Sequence, residues 1–324
     1  MPGRLSNLGF ATSSVPACTN SKFPKIWKRA LIVAIPKPEK PLGDPKSYRP
    51  ISLLCVSFKI LERLIYAGVF PIIDPLLPRE QMGFHHWRST VDQVTLLTQN
   101  IENSFLAKKK GRAVFVSLTA AYDTVWHRSL TCKLLQFLPD RHMVHMIMEM
   151  VSNRSFTLTA GNSKRSRLRC LKNGVPQGSV LAPLLFSIYM SDLPTTVSRK
   201  YAYADDLAIV HANGDWQAVE VVLTKNVTTI GEYLQTWKLK LSTTETVSAA
   251  FHLNHKEAKR ELKVKCNNEA LPFCSEPKYL GATLDRSLTY RRHLESLRKK
   301  LTSRVALLRR LAGSGCGAEQ QLCE

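Results

Sequence analysis

The chain has 324 residues, enough for one large domain or two to three subdomains. Its 46 Lys and Arg against 25 Asp and Glu leave a net charge of +21, which points to a polyanionic partner, nucleic acid first. Eight scattered cysteines (18, 55, 132, 170, 266, 274, 316, 323) without a Cys-x-x-Cys pair argue against a zinc site. The longest apolar stretch, 180–190, contains Pro183 and falls short of a membrane span, and no secretory segment follows Met1, so an intracellular protein with free thiols, nuclear or cytoplasmic, is expected.

Residues 1–22 are rich in Ser, Gly, Pro and Asn without periodicity and read as a disordered lead-in. Residues 26–35 end in an apolar strand that halts at Pro36-Lys37-Pro38, and a Pro/Lys/Gly-rich loop leads to a second extended run, Tyr48 to Leu54. From Val56 to about Val69, Phe58, Leu61, Leu64 and Ile65 recur at helical spacing with Lys59, Glu62 and Arg63 opposite. Residues 90–106 form a second amphipathic helix, followed by a strand at 113–116, a helical start near Thr119, and helix over 131–152.

The alternation over 154–169 suggests a β-hairpin around Gly161-Asn162. Residues 173–179 form a turn that opens an apolar helix at 180–191; 216–238 read as helix, and 247–253 and 261–267 as strands. In 288–311, Leu294, Leu297, Leu301, Val305 and Leu308 make an apolar stripe, expected to pack on the core. Arg291, Arg292, Arg298, Lys299, Lys300, Arg304, Arg309 and Arg310 surround it with Glu295 as the one acid, a surface suited to phosphate contact.

The stretch that carries chemistry is Tyr203-Ala204-Asp205-Asp206, set between two apolar runs. A tight hairpin there would hold two carboxylates at its tip, and hard divalent cations prefer carboxylate oxygen.

With its company this pair becomes specific. Tyr48-Arg-Pro-Ile-Ser-Leu53, Gly83-Phe84, Leu118-Thr-Ala-Ala-Tyr-Asp-Thr-Val-Trp-His127, Gly174-Val-Pro-Gln-Gly-Ser-Val-Leu-Ala-Pro183, Tyr203-Ala-Asp-Asp206 and Lys278-Tyr-Leu-Gly281 occur in this order. Together they resemble the reverse transcriptase of non-LTR retrotransposons, most nearly the Jockey-like elements, over residues 23 to 311. An intron-encoded polymerase is the more distant alternative.

The resemblance implies an α+β right-hand polymerase: fingers over 23–110, a palm with an antiparallel or mixed sheet over 111–285, and a thumb beginning at 286–324. It implies an RNA template, a DNA primer, a dNTP and Mg²⁺ or Mn²⁺ as partners, with no membrane; it assigns no oligomeric state. Asp205 and Asp206 would be the catalytic metal ligands. Lys37 and Arg49 would meet the triphosphate, Tyr122 would lie under the deoxyribose, and Gln177 and Gly178 would line the nucleotide pocket. Tyr279, Leu280 and Gly281 would grip the primer, and Arg291, Arg292, Arg298, Lys299, Lys300 and Arg304 would track the duplex.

The chain departs from that pattern. The family implies an Asp five residues before Tyr122, where this sequence has Ser117. A hydroxyl supplies no charge to a metal, so Mg²⁺ or Mn²⁺ is expected to bind this copy weakly, if at all, with a loss on the order of 4–6 kcal/mol of transition-state stabilisation, about 10³–10⁴-fold in rate. Asp123, beyond the strand end, is expected to point elsewhere. His85 and Trp87 replace an Arg and a small residue; Trp87 would be strained if its backbone needs a positive φ. Glu245 stands where the family carries Lys. An impaired, truncated copy is therefore expected, with a non-catalytic RNA- or DNA-binding remnant as the alternative.

Overall fold

The computed structural model describes residues 23–313 apart from 39, 40, 42, 161–163, 255, 256, 258–260, 262, 267 and 268. The expected lead-in at 1–22 and the turn at Gly161-Asn162 lie outside the described residues.

Two sheets organise the molecule. The first joins β1 (Arg29–Pro36), β2 (Tyr48–Leu53), β5 (Arg154–Ala160), β6 (Lys164–Arg165) and β7 (Arg169–Leu171). β2 runs antiparallel to β1, with Pro36 opposite Tyr48 and Leu31 opposite Leu53, whereas β5 runs parallel to it. Pairing of Thr159 with Arg165 is the antiparallel hairpin expected over 154–169.

The second sheet is wholly antiparallel, in the order β11 (Val247–Phe251), β3 (Lys110–Val116), β9 (Asp206–Asn213), β8 (Arg199–Tyr203). Its central strands are apolar on both faces because both are covered. Val114, Val116, Leu207 and Ile209 face the larger core, which includes Val219, Leu223, Val227 and Ile230 of α7 (Trp216–Thr236). Ala113, Phe115, Ala208 and Val210 face a smaller core with Leu97 and Ile101 of α2 (Thr90–Leu106). A sheet buried on both sides reads as a continuous apolar run rather than an alternating one.

α2 begins on a capping box in which Ser89 and Asp92 exchange hydrogen bonds, as a helix N-terminus with four orphan N–H groups favours. The helix expected over 131–152 is two helices, α4 (His127–Phe137) and α5 (Arg141–Val151). Pro139 lies in the break, and Asp140 caps the second helix at the backbone of His142. The helical start expected near Thr119 is the short α3 (Ala121–Thr124), delayed because Ala120 adopts a left-handed φ of 48°.

α1 runs from Val56 to Ile73, and its buried face is Phe58, Glu62, Ile65, Val69 and Ile73. Glu62, expected on the solvent side, is therefore a correction. Its carboxylate accepts from Ser179 Oγ and from the Val180 amide, 3.0 Å away, at the approach to α6 (Ala182–Tyr189).

α8 (Arg291–Gly313) corrects another expectation. Leu294, Leu297, Leu301, Val305 and Leu308 are all exposed, so the stripe is not packed on the core. The strand expected over 261–267 is reduced, among the described residues, to β12 (Lys265–Cys266) paired with β13 (Glu269–Ala270). No helix among the described residues is long and apolar enough to cross a membrane.

Candidate active site

The acidic pair sits where β8 turns into β9. Tyr203 pairs with Asp206, which leaves Ala204 and Asp205 to make the tip, with Ala204 at a φ of 56°. Left-handed backbone is uncommon for a residue with a Cβ and persists only where the surrounding structure holds it. Gln81 does so. Its Oε1 accepts from the Ala204 amide (2.9 Å) and the Gly83 amide (3.0 Å), while Nε2 donates to the Ala204 carbonyl (3.3 Å). Nothing in the sequence motifs singles out Gln81; its signal is only its place two residues before Gly83.

Both aspartates line an open cleft of about 810 Å³. Burial pushes Asp205 above the usual carboxylate range, against the pull of Arg49 and Lys37. Asp206 is raised to about 6 by burial and by the charge of Asp205, with Arg49 opposing.

The expected nucleotide residues gather at the same place. Lys37, Arg49, Tyr122, Gln177 and Gly178 all line this cleft. Tyr122 stacks on Phe186 with ring centroids 4.7 Å apart and 16° between planes. Gly178 has a φ of +111°, and a Cβ there would lie 2.7 Å from the Ser52 carbonyl oxygen. The close neighbour that demands glycine is thus β2, whose Ser52 amide also donates to the Gln177 carbonyl (2.7 Å).

Ser117, directly after β3, also lines the cleft. Its Oγ donates to the Glu245 carboxylate at 3.3 Å, and its amide to Thr246 Oγ1 at 3.1 Å. Ser242 in turn donates its amide to the Ser117 carbonyl (2.9 Å), so the 242–246 turn wraps the strand end. Two departures recognised separately in the sequence are in contact. Asp123 also lines the cleft rather than pointing elsewhere, because left-handed Ala120 bends the chain back, and burial raises its carboxyl.

Comparison with known proteins agrees with this geometry. Residues 35–284 match the family described as reverse transcriptase (RNA-dependent DNA polymerase). The chain belongs to that family.

Curated relatives include the probable RNA-directed DNA polymerase from transposon BS of Drosophila melanogaster, 35% identical over 89% of this chain and 33% of that protein. The RNA-directed DNA polymerase from mobile element jockey of Drosophila funebris is 31% identical over 87% of this chain and 32% of that protein. The chain therefore spans about a third of the length of these relatives. Among solved structures, telomerase from Candida tropicalis in complex with a TWJ fragment of telomeric RNA superposes with a TM-score of 0.53 at 11% identity, covering 83% of this chain and 45% of that one. That likeness concerns the right-hand polymerase fold.

For a reverse transcriptase the carboxylate oxygens of Asp205 and Asp206 have the right chemistry to hold a divalent cation. Among the described residues, however, no group of three His, Cys, Asp or Glu side chains is arranged to hold a metal ion. The donor set fits such an ion with two carboxylates.

The expected primer-grip residues divide. The Tyr279 ring is buried 5.5 Å from that of Phe115, and its hydroxyl donates to the Tyr201 carbonyl (2.9 Å). Leu280 and Gly281, with positive φ values of 48° and 85°, form the turn between β14 (Lys278–Tyr279) and β15 (Ala282–Thr283). Arg291, Arg292, Arg298, Lys299, Lys300 and Arg304 lie along exposed α8. Trp87 has a φ of 62° and is fully exposed, and Phe84, at 66°, lines the cleft.

Proposed function

We propose that this chain is the polymerase domain of a non-LTR element that extends a primer 3′-hydroxyl with dNTPs on an RNA template, and that this copy is severely impaired in doing so. What carries the reading is the convergence of Asp205 and Asp206 with Lys37, Arg49, Tyr122 and Gln177 on one cleft. A divalent ion held by the two aspartates supplies activation of the attacking hydroxyl and charge neutralisation at the phosphates. Lys37 and Arg49 bring fixed positive charge for the triphosphate, and the stacked Tyr122 ring forms the floor under the sugar. We assign fingers to 23–110, palm to 111–285 and the start of the thumb to 286–324.

The impairment rests on Ser117, whose hydroxyl contributes no charge opposite the hairpin. Primer extension on an RNA template with Mg²⁺ or Mn²⁺ tests both parts. Silence from the parent with synthesis after introducing Asp at position 117 supports them, and robust synthesis by the parent removes the impairment.

A second reading, a binding protein without catalysis, is favoured by the exposed cationic faces of α8. It expects strongly salt-dependent affinity for an RNA–DNA hybrid with no extension by either protein.

A further inference from the structure

We propose that Gln81 is a positioning residue that sets the direction in which Asp205 and Asp206 leave the backbone. The inference rests on the reading of that pair as an ion-holding site, and adds to it a residue from outside every catalytic motif.

Gln81 is 2% exposed, and its carboxamide makes three hydrogen bonds to backbone. One oxygen takes the amide protons of Ala204 and Gly83, and the nitrogen returns a bond to the Ala204 carbonyl. Both polar backbone groups of Ala204 are thus satisfied by a single side chain 123 residues away in sequence. A buried tip without these bonds would leave an amide and a carbonyl unpaired. Since Ala204 directly precedes Asp205, whatever holds its left-handed torsion also aims the carboxylate that follows.

The clamp is itself anchored. Residues 80–82 lie alongside β8 as a short parallel pairing, with Met82 donating to the Ala202 carbonyl (2.8 Å) and Ala202 to the Glu80 carbonyl (2.9 Å). Gly83 completes the joint, because a Cβ there would lie 2.4 Å from the Ala204 nitrogen. Arg88 donates to the Gln81 carbonyl at 3.4 Å. The segment ahead of α2 therefore carries the hairpin tip, and a displacement of one moves the other.

The test uses the full chain with Q81L, Q81E and G83A, each checked for a cooperative melt. Hydrogen exchange of the 200–208 amides reads the clamp, and Mn²⁺ affinity by electron paramagnetic resonance reads the aim of the carboxylates. Q81L and G83A should speed exchange at the tip at least tenfold, leave the rest of the chain unchanged, and weaken Mn²⁺ at least tenfold. Q81E, which keeps the acceptor for both amides, should retain most of the tip protection.

Parent-like exchange in Q81L and G83A overturns the clamp. Fast exchange with unchanged Mn²⁺ affinity overturns positioning. A parent that takes up no Mn²⁺ overturns the ion-holding reading and the positioning claim with it, while exchange still judges the clamp. If Q81L does not fold, G83A decides the same points.

Discussion

Ser117 Oγ donates a hydrogen bond to the Glu245 carboxylate at 3.3 Å, so two residues that the sequence reading set apart independently form one joint in the cleft. A carboxylate placed at 117 would face Glu245 at short range, and like charges there repel. S117D alone is therefore expected to lower Tm by a few degrees, on the order of 1 kcal/mol, and to restore synthesis only partly. S117D/E245K should recover the melt and extend primers faster than S117D. Equal rates for the single and double variants would mean that Glu245 does not matter to the site.

Gly178 has no room for a side chain. Its φ is +111°, and the Ser52 carbonyl occupies the place of a Cβ. G178A should cost about 2 kcal/mol or more and lower Tm by roughly 5 °C in calorimetry. The loss should appear in dNTP affinity too, since the Gln177 carbonyl accepts from the amide of the same Ser52.

Trp87 presents the opposite case. Its indole is fully exposed on a left-handed backbone, so the fold gains no packing from it and carries the torsional cost. Asn tolerates that torsion better, and W87N should stabilise the chain by about 1 kcal/mol in a denaturant melt. A neutral or negative result would locate a stabilising contact for the indole.

Asp206 should give stability a dependence on pH. Its folded value of about 6 lies above the ordinary carboxylate value near 3.8. The protonated form is favoured in the fold, so this contribution is fully present below about 4 and is lost as pH rises through about 6. Between about pH 4 and 6 the parent Tm should fall relative to D206N, whose neutral amide does not titrate.

The cations of α8 predict a salt effect. Replacing Arg298, Lys299, Lys300 and Arg304 with Ala should flatten the plot of log affinity for an RNA–DNA hybrid against log salt by about 0.7–0.9 per phosphate contact removed. An unchanged slope would move the binding surface elsewhere.

The elements that sequence made legible are those whose residues act locally. The amphipathic stretch 90–106 matches α2 to the residue, and the Tyr-Ala-Asp-Asp run announces its own hairpin. The cleft residues were readable because ordered motifs carry them. What escaped depends on partners far along the chain. Glu62 looks solvent-facing at helical spacing, yet the Ser179 hydroxyl and the Val180 amide draw it inward.

Lys133 looks like a surface cation but is buried against the Trp237 ring at 3.9 Å, where it donates to Asp192 at 2.5 Å. Gln81 likewise reveals itself only through contacts 123 residues distant. The α8 stripe misled in the other direction, since periodicity shows that a face is apolar without showing that anything covers it.

The parallel pairing of β1 with β5 has a consequence for synthesis of the chain. While residues 29–53 emerge from a ribosome they can form only the β1–β2 ribbon, and one edge of β1 stays open until residues 154–160 follow. β3, made in between, waits in turn for β9 and β11, so its sheet closes only after Phe251. The two sheets are interleaved along the message. A nascent chain halted anywhere between would carry unpaired strand edges, the feature that chaperones bind and aggregates grow from.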